Sequence, residues 1–295
     1  MKNIPDDDFN EQEFFKPAAA AASSGNPLAQ YFRMPGLHVT LPSRGAFLPE
    51  QYYDETLAGD VPVYPMRAAD ELLLKSPDAL MSGYALEKLV ESCVPSIRAP
   101  RLISTPDLDV ILLAIRAATY GEMMEIEVHC PKCGHDNAFD CNLPAIMETM
   151  TFLDPVNEVR LSKDILVNLR PYNMGSATRA ALSGFNEARR VQNFEDDTDE
   201  RRLAINESYE RMSKVNLDGI IDCIVNIVAP TGTVTNRDQI AEFINNTSQP
   251  WVKKIENKLV EMNNLGIDKT VDATCVKCSN EWKAEIEFDP SNFFG

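Results

Sequence analysis

Two Cys-x-x-Cys pairs constrain the fold of this chain more than any other feature of its sequence: Cys130 with Cys133, and Cys275 with Cys278. Each pair is followed by a small turn residue and lies between two runs that alternate like β-strands. Two thiols on one tight turn supply half of a tetrahedral metal site, and Zn²⁺ is the usual occupant of a four-thiolate site. We therefore predict a structural zinc bound by these four cysteines.

Residues 134–274 lie between the two half-sites, whereas an ordinary zinc ribbon leaves roughly 15–20 residues there. We interpret the pattern as a split ribbon with a large insertion between its halves. The alternatives are two separate, redox-inactive cysteine pairs or a disulfide. Cys141, His129 and His135 lie near the first pair, and the sequence leaves open whether any of them contributes to the site. The position of Cys141 after the return strand favours a spectator role.

The remaining segments complete an α+β fold: a split four-Cys zinc ribbon with a large, mainly helical insertion and an N-terminal extended β arm. The predicted segments are a disordered acidic leader (1–25), the extended arm (26–67), a helical segment (68–122), the first ribbon half (123–143), a β-hairpin plus helical insertion (144–267), and the second ribbon half with an aromatic tail (268–295).

Helix signals are clearest at residues 105–121. Thr105 can cap the helix, Pro106 suits its first turn, and Gly121 suits its end. In the insertion, residues 156–169 read as a hairpin, and a long helix is predicted over residues 198–228, whose apolar second half suggests the buried centre of the fold.

The composition of the chain disfavours several classes of function. The chain has 295 residues and seven cysteines, and its N-terminus lacks a signal-peptide pattern, which fits a reducing compartment. The longest apolar run, at residues 219–229, is too short to span a membrane, so we expect a soluble protein. With 45 acidic and 28 basic residues, the net charge of −17 disfavours general nucleic-acid binding.

Catalytic motifs are missing from the sequence. It contains no Gly-rich phosphate loop, no Gly-x-Ser-x-Gly and no His-Glu-x-x-His, and it has only three histidines. Four thiolates fill a zinc coordination shell and leave no open position for a substrate or water. We therefore predict that the four cysteines stabilise the fold and that the protein is not an enzyme.

Short motifs near both ends resemble one family. The stretches NPLAQYFR (residues 26–33) and VTLPSRG (39–45) resemble the N-terminal signature of T-even-type phage baseplate hub proteins and hub-assembly factors. FDPSNFF (288–294), which follows the second cysteine pair, is similar to the ending of that family. The resemblance covers residues 26–50, the cysteine pairs and residues 268–295. It implies a contractile-tail baseplate component or a factor that builds the hub, with other tail proteins as partners, located in the virion tail or, during assembly, the host cytoplasm.

Three functional hypotheses follow. The leading one is a structural or assembly protein that works through protein contacts. The second is a zinc-ribbon binding module of a transcription-like complex, which the acidity disfavours, and the third is a hydrolase with an unrecognised site. Under the first hypothesis, residues 26–64 and the tail from residue 289 are docking arms. Their partner-binding residues would be Tyr31, Phe32, Phe293 and Phe294; the alternative is that both arms fold back onto the core of the chain itself.

Overall fold

The computed structural model describes residues 26–54, 60–192, 199–286 and 293–294. The predicted leader at residues 1–25 lies outside the described residues, as does the start of the predicted long helix at residue 198. The described part forms nine α-helices and ten β-strands. None of these helices combines the length and apolar character that a membrane crossing requires.

The predicted arm contains two short strands, β1 (Leu37–Thr40) and β2 (Asp60–Val63), which pair antiparallel. Alternation buries one face of the pair: Val39 and Val61 lie opposite each other and both are buried. Pro62 is tolerated because the sheet has only two strands and both are edges. Since these valines join the main apolar cluster of the N-terminal half, the strand pair lies on the chain's own core.

Five helices contribute residues to the same apolar cluster as this strand pair. Their bounds are α1 (Ala68–Leu74), α2 (Pro77–Met81), α3 (Tyr84–Cys93), α4 (Thr105–Tyr120) and α5 (Leu143–Glu148). Helix α4 is the predicted helix, but its cap is Ser104, whose hydroxyl accepts from Asp107 N at 3.3 Å, one residue before the predicted cap Thr105. Buried residues occupy most of α4 from Val110 to Ala117. Helix α4 therefore forms the centre of the apolar cluster of the N-terminal half, which is called the first core below.

The insertion contains a four-stranded antiparallel sheet with strand order β5-β6-β7-β8. The strands are β5 (Asn157–Arg160), β6 (Leu166–Leu169), β7 (Ile224–Ala229) and β8 (Gly232–Val234). The predicted hairpin at residues 156–169 is confirmed as β5 and β6.

The long helix predicted over residues 198–228 is wrong in its last turns. Helix α7 (Asp199–Cys223) ends where β7 begins. Ile224, Val225, Ile227 and Val228 are β-branched and therefore favour a pleated strand. Pairing with β6, where Ile227 lies opposite Val167, overrides the helical pattern.

Three further helices complete the insertion: α6 (Met174–Gln192), α8 (Arg237–Asn246) and α9 (Gln249–Asn263). Helices α6 and α7 pack against each other, and Arg211 Nε of α7 donates to Glu187 Oε1 of α6 at 2.9 Å. Helices α7, α8 and α9 cover the sheet and bury Ile221, Ile240 and Leu259 against it, which gives the insertion a core of its own.

The two ends of the insertion return to the first core. Ile146 of α5 and Ile267, which follows α9, are both buried with the N-terminal helices. Thr105 N donates to the carbonyl of Tyr172 at 2.9 Å, and the Thr105 hydroxyl donates to Asn263 Oδ1 at 2.6 Å. These bonds connect the two cores at the base of the insertion.

Candidate metal centre

The first cysteine pair lies at the tip of a hairpin formed by β3 (Met123–His129) and β4 (Asp136–Asn142). Cys130 N donates to the carbonyl of His135 at 2.9 Å, and Gly134 N donates to the carbonyl of Cys130 at 2.9 Å. Gly134 has φ 66°, a left-handed conformation that glycine adopts without steric cost. The sequence Cys-Pro-Lys-Cys-Gly thus folds into one tight turn that directs both thiols to the same side.

The second pair repeats this geometry between β9 (Thr270–Thr274) and β10 (Glu281–Glu285). Cys275 N donates to the carbonyl of Asn280 and Ser279 N donates to the carbonyl of Cys275, both at 2.9 Å. Ser279 occupies the position of Gly134 and also has a positive φ of 53°, which is uncommon for a residue with a side chain. Each Cys-x-x-Cys turn, called a knuckle below, therefore lies between two paired antiparallel strands, as the strand-like runs on either side of each pair predict.

The thiols of all four predicted cysteines lie close together in the structure. The Sγ atoms of Cys130, Cys133, Cys275 and Cys278 lie within 4.8 Å of one another. The Cys130–Cys278 Sγ distance is 3.7 Å and the Cys133–Cys275 Sγ distance is 3.6 Å. Four sulfurs at about 2.3 Å from a tetrahedral Zn²⁺ would be separated by about 3.8 Å, so the donor set fits this ion. All four cysteines are free rather than disulfide-bonded, which sets the disulfide alternative aside.

Backbone amides of the knuckles lower the pKa values of thiols in the cluster. Burial raises the pKa of Cys275, but the N–H groups of Cys278 and Lys277, together with hydrogen bonds to the thiols of Cys133 and Cys278, outweigh it and bring the pKa to about 6. The pKa of Cys130 is lowered in the same way against its burial. For Cys278, the N–H of Asn280 lowers the pKa, yet burial and hydrogen bonds with the other three thiols raise it to about 12. The amides at Cys130 and Cys275 favour the thiolate form that binds metals.

Asn137 connects the two knuckles, a role that is not among the predictions made from the sequence. Its buried side chain donates from Nδ2 to the carbonyl of His135 at 2.8 Å and accepts at Oδ1 from Val276 N at 3.0 Å. One amide side chain therefore orients both turns that present the thiols. The available signal was a polar residue at an inward-facing position of β4, two residues before Phe139.

The sequence model of one protein family, described as "T4 bacteriophage base plate protein", matches residues 61–295. The chain belongs to this family. It is a T4-type phage baseplate protein with a structural role, other phage tail proteins as partners and a location in the virion tail. Searches of curated proteins and of solved structures gave no match. Family membership confirms the resemblance at the level of the baseplate and favours that hypothesis over a transcription-like zinc-ribbon module.

The other candidate ligands of this baseplate protein lie apart from the thiols. The His129 ring contacts the Asp136 carboxylate on the exposed face of the hairpin. His135 supports the knuckle through its backbone carbonyl. Cys141 pairs with Met124 and is buried in the first core, where burial raises the pKa of its thiol. In the described ranges, the group of side chains placed to bind a metal contains the four predicted cysteines alone.

The four aromatic residues predicted to bind partners fall into two pairs. Tyr31 and Phe32 are exposed, at 76% and 54% of their surface. Phe293 and Phe294 are only 4% and 3% exposed, and their rings meet edge to face with centroids 5.0 Å apart. The Tyr120 hydroxyl donates to the carbonyl of Phe294 at 3.0 Å. Of the tail predicted from residue 289, only residues 293 and 294 are among the described residues, and both phenylalanines lie in the chain's own core, as in the alternative to docking.

Proposed function

We propose that this baseplate protein is a non-catalytic structural or assembly component of the hub region, and that a structural zinc stabilises it. The observation that carries the proposal is the meeting of Cys130 and Cys133 with Cys275 and Cys278, four thiols from hairpins on either side of the insertion. The short motifs at the ends of the chain support the hub as its place in the tail.

The thiol cluster supports a structural role for the metal. Four cysteine ligands complete the coordination shell of zinc and leave no position for a substrate. Because the two hairpins precede and follow the insertion, a metal ion between them would fix the base of residues 144–267. Metal binding of this kind contributes directly to the free energy of folding.

Protein contacts are the second part of the proposal. Leu28, Tyr31, Phe32 and Met34 form an exposed apolar patch on one short segment. Arg33 fixes this segment, since its guanidinium donates to the carbonyls of Pro65 and Ser92, each at 2.6 Å. Aromatic side chains held on a fixed backbone are effective interface anchors because little conformational freedom is lost on binding. We propose Tyr31 and Phe32 as partner contacts.

Complementation tests both parts. A phage that lacks this gene would be supplied with wild-type protein, with Cys275→Ser, or with a Tyr31→Ser/Phe32→Ser double variant. We expect Cys275→Ser to lose zinc and lower the yield of infectious particles. The double variant should stay folded and zinc-loaded but fail to enter baseplates. A zinc-free Cys275→Ser protein that supports normal assembly would contradict the metal's role.

Mass spectrometry of purified tails separates the two versions of the proposal. A permanent hub component remains in the finished tail at a fixed stoichiometry. An assembly factor acts in the host cytoplasm and is found in assembly intermediates but not in mature tails.

A further inference from the structure

A groove of about 870 Å³ runs between the two ribbon hairpins. Consecutive residues of β3, from Met124 to His129, line one wall, and consecutive residues of β10, from Trp282 to Glu285, line the other. Successive side chains of a strand point to opposite faces. Residues whose side chains point to either face of each hairpin border the groove. The groove therefore lies along the edges of β3 and β10 and not over one face of a hairpin.

The hydrogen-bond register shows which backbone groups lie at these edges. Leu143 N donates to the carbonyl of Glu122, and Cys130 N donates to the carbonyl of His135, so the hydrogen-bonded pairs of this hairpin fall at even-numbered residues of β3. The N–H and C=O groups of Glu125 and Glu127 therefore point away from β4. In the described part of the chain, β3 pairs with β4 alone.

The β10 edge is arranged in the same way. Cys275 N donates to the carbonyl of Asn280, and Ile286 N donates to the carbonyl of Lys269. The groups of Lys283 and Glu285 thus point away from β9. Two strand edges with outward N–H and C=O groups line the same groove. Such edges are normally protected by charged side chains, prolines or bulges. Strand β3 has neither a proline nor a bulge, and its charged side chains are Glu125 and Glu127.

Charge indicates what kind of strand would fit. Strands β3 and β4 contain four acidic residues, Glu125, Glu127, Asp136 and Asp140, and neither lysine nor arginine. Glu125 lies directly opposite Asp140, an arrangement of like charges that is destabilising. Two cations also line the groove: Lys283 on β10, and Arg116, whose guanidinium lies 5.6 Å from the Phe293 ring centroid. The β3 edge itself is acidic.

The inner side of the groove is apolar. Ile126 and Val128 of β3 and Trp282 of β10 are partly buried and border it. A strand paired with β3 would place alternate side chains beside these residues and the others beside Glu125 and Glu127. The geometry therefore selects a segment in which apolar and basic residues alternate.

We propose that the β3 edge binds an extended segment of another tail protein, with alternating apolar and basic residues, by β-strand addition. Main-chain hydrogen bonds to Glu125 and Glu127 supply affinity, and the two rows of side chains supply specificity. The proposal rests on the proposed function in one respect only, that the chain acts through protein contacts.

The probe is a synthetic peptide of alternating lysine and valine with seven residues, the length of β3, added to the full-length zinc-loaded protein. We expect it to slow hydrogen exchange at the amides of Glu125 and Glu127 and to change the fluorescence of Trp282 in a Trp251→Phe background. The effect should weaken as salt is added, because exposed charges are screened. A peptide with glutamate in place of lysine is the charge control and should not bind.

Proline variants locate the binding edge. Glu127→Pro removes one outward N–H without removing a hydrogen bond to β4, and Ala138→Pro makes the same change directly opposite, on the far edge of the hairpin. The peptide should lose its effect on Glu127→Pro and keep it on Ala138→Pro. Equal behaviour of the two variants, binding of the glutamate peptide, or no binding of the lysine peptide overturns the proposal.

The free protein provides a further check. If the outward β3 amides are already protected without peptide, another part of this chain or a second copy pairs with that edge, and the proposal is wrong. Zinc content and entry into baseplates are measured in parallel. If the peptide does not bind but the protein binds zinc normally, the strand-addition proposal is wrong and the proposed function is unaffected. If the wild-type protein binds no zinc, the proposed function is contradicted.

Discussion

Truncating one buried phenylalanine tests where the C-terminal tail belongs. The Phe294 side chain is 3% exposed in the first core and packs edge to face on Phe293. Phe→Ala changes in protein cores reduce the free energy of unfolding by about 3–5 kcal/mol, since burial and a cavity term both contribute. A domain of ordinary stability has about 5–15 kcal/mol in total. We therefore expect Phe294→Ala to remove about a fifth or more of the stability of the first core.

The assay must report on that core, because the insertion has its own apolar cluster and the two could unfold separately. Trp251 packs against the insertion core. Trp282 lies in the β9–β10 hairpin, 6.3 Å from Phe139 between ring centroids, and lines the same groove as Phe293. Urea unfolding followed by fluorescence in a Trp251→Phe background then observes Trp282 alone.

Two controls frame the result. Phe32→Ala removes an exposed ring and should change the free energy of unfolding by less than about 0.5 kcal/mol. Phe294→Leu retains much of the apolar volume and should cost less than Phe294→Ala. If Phe294→Ala is as stable as Phe32→Ala, the tail is not part of the core, and the reasoning from burial is refuted.

Three further predictions concern single side chains. Burial raises the pKa of the Asp107 carboxyl despite hydrogen bonds from Ser43 and Ser104, so the contribution of Asp107 to stability is present at low pH and is lost as the pH rises through the pKa of the folded state. Relative to wild type, Asp107→Asn should therefore become more stable as the pH is raised from about 4 in urea titrations. A difference between the two proteins that does not change with pH would contradict this. Asn137→Ala should lower zinc affinity about 10–100-fold in competition with a chelator, because this side chain orients both knuckles. Unchanged affinity would show that the two knuckles keep their geometry without this side chain. Cys141→Ser should retain the metal, since Cys141 lies outside the thiol cluster, and zinc loss from a folded variant would revise the ligand set.

Local chemistry made part of this structure predictable. A Cys-x-x-Cys turn needs only a few residues to direct two thiols to one side, so the knuckles could be recognised at Cys130 and Cys275 without knowledge of the fold. Helix α4 also carries its own signals in Pro106 and Gly121, and only the cap was displaced, to Ser104.

Features that depend on distant contacts could not be predicted. The apolar run at residues 224–229 fits a buried helix or a buried strand equally well, and pairing with β6 decides between them. The Phe293–Phe294 dipeptide has the same composition whether it docks on a partner or on its own core, and its environment comes from helix α4 and its neighbours. The sequence does not distinguish Asn137 from any other asparagine in a strand, because its role depends on Val276, which lies beside it only in the folded chain.

The central claim is that one metal ion closes the base of the insertion. Native mass spectrometry of the full-length protein, purified without chelators, measures the mass and the folded state of the same molecules. We expect a compact charge distribution whose mass exceeds that of the polypeptide by one bound zinc, and loss of both the zinc and the compact distribution for Cys275→Ser. A compact wild-type protein at the metal-free mass would contradict the account.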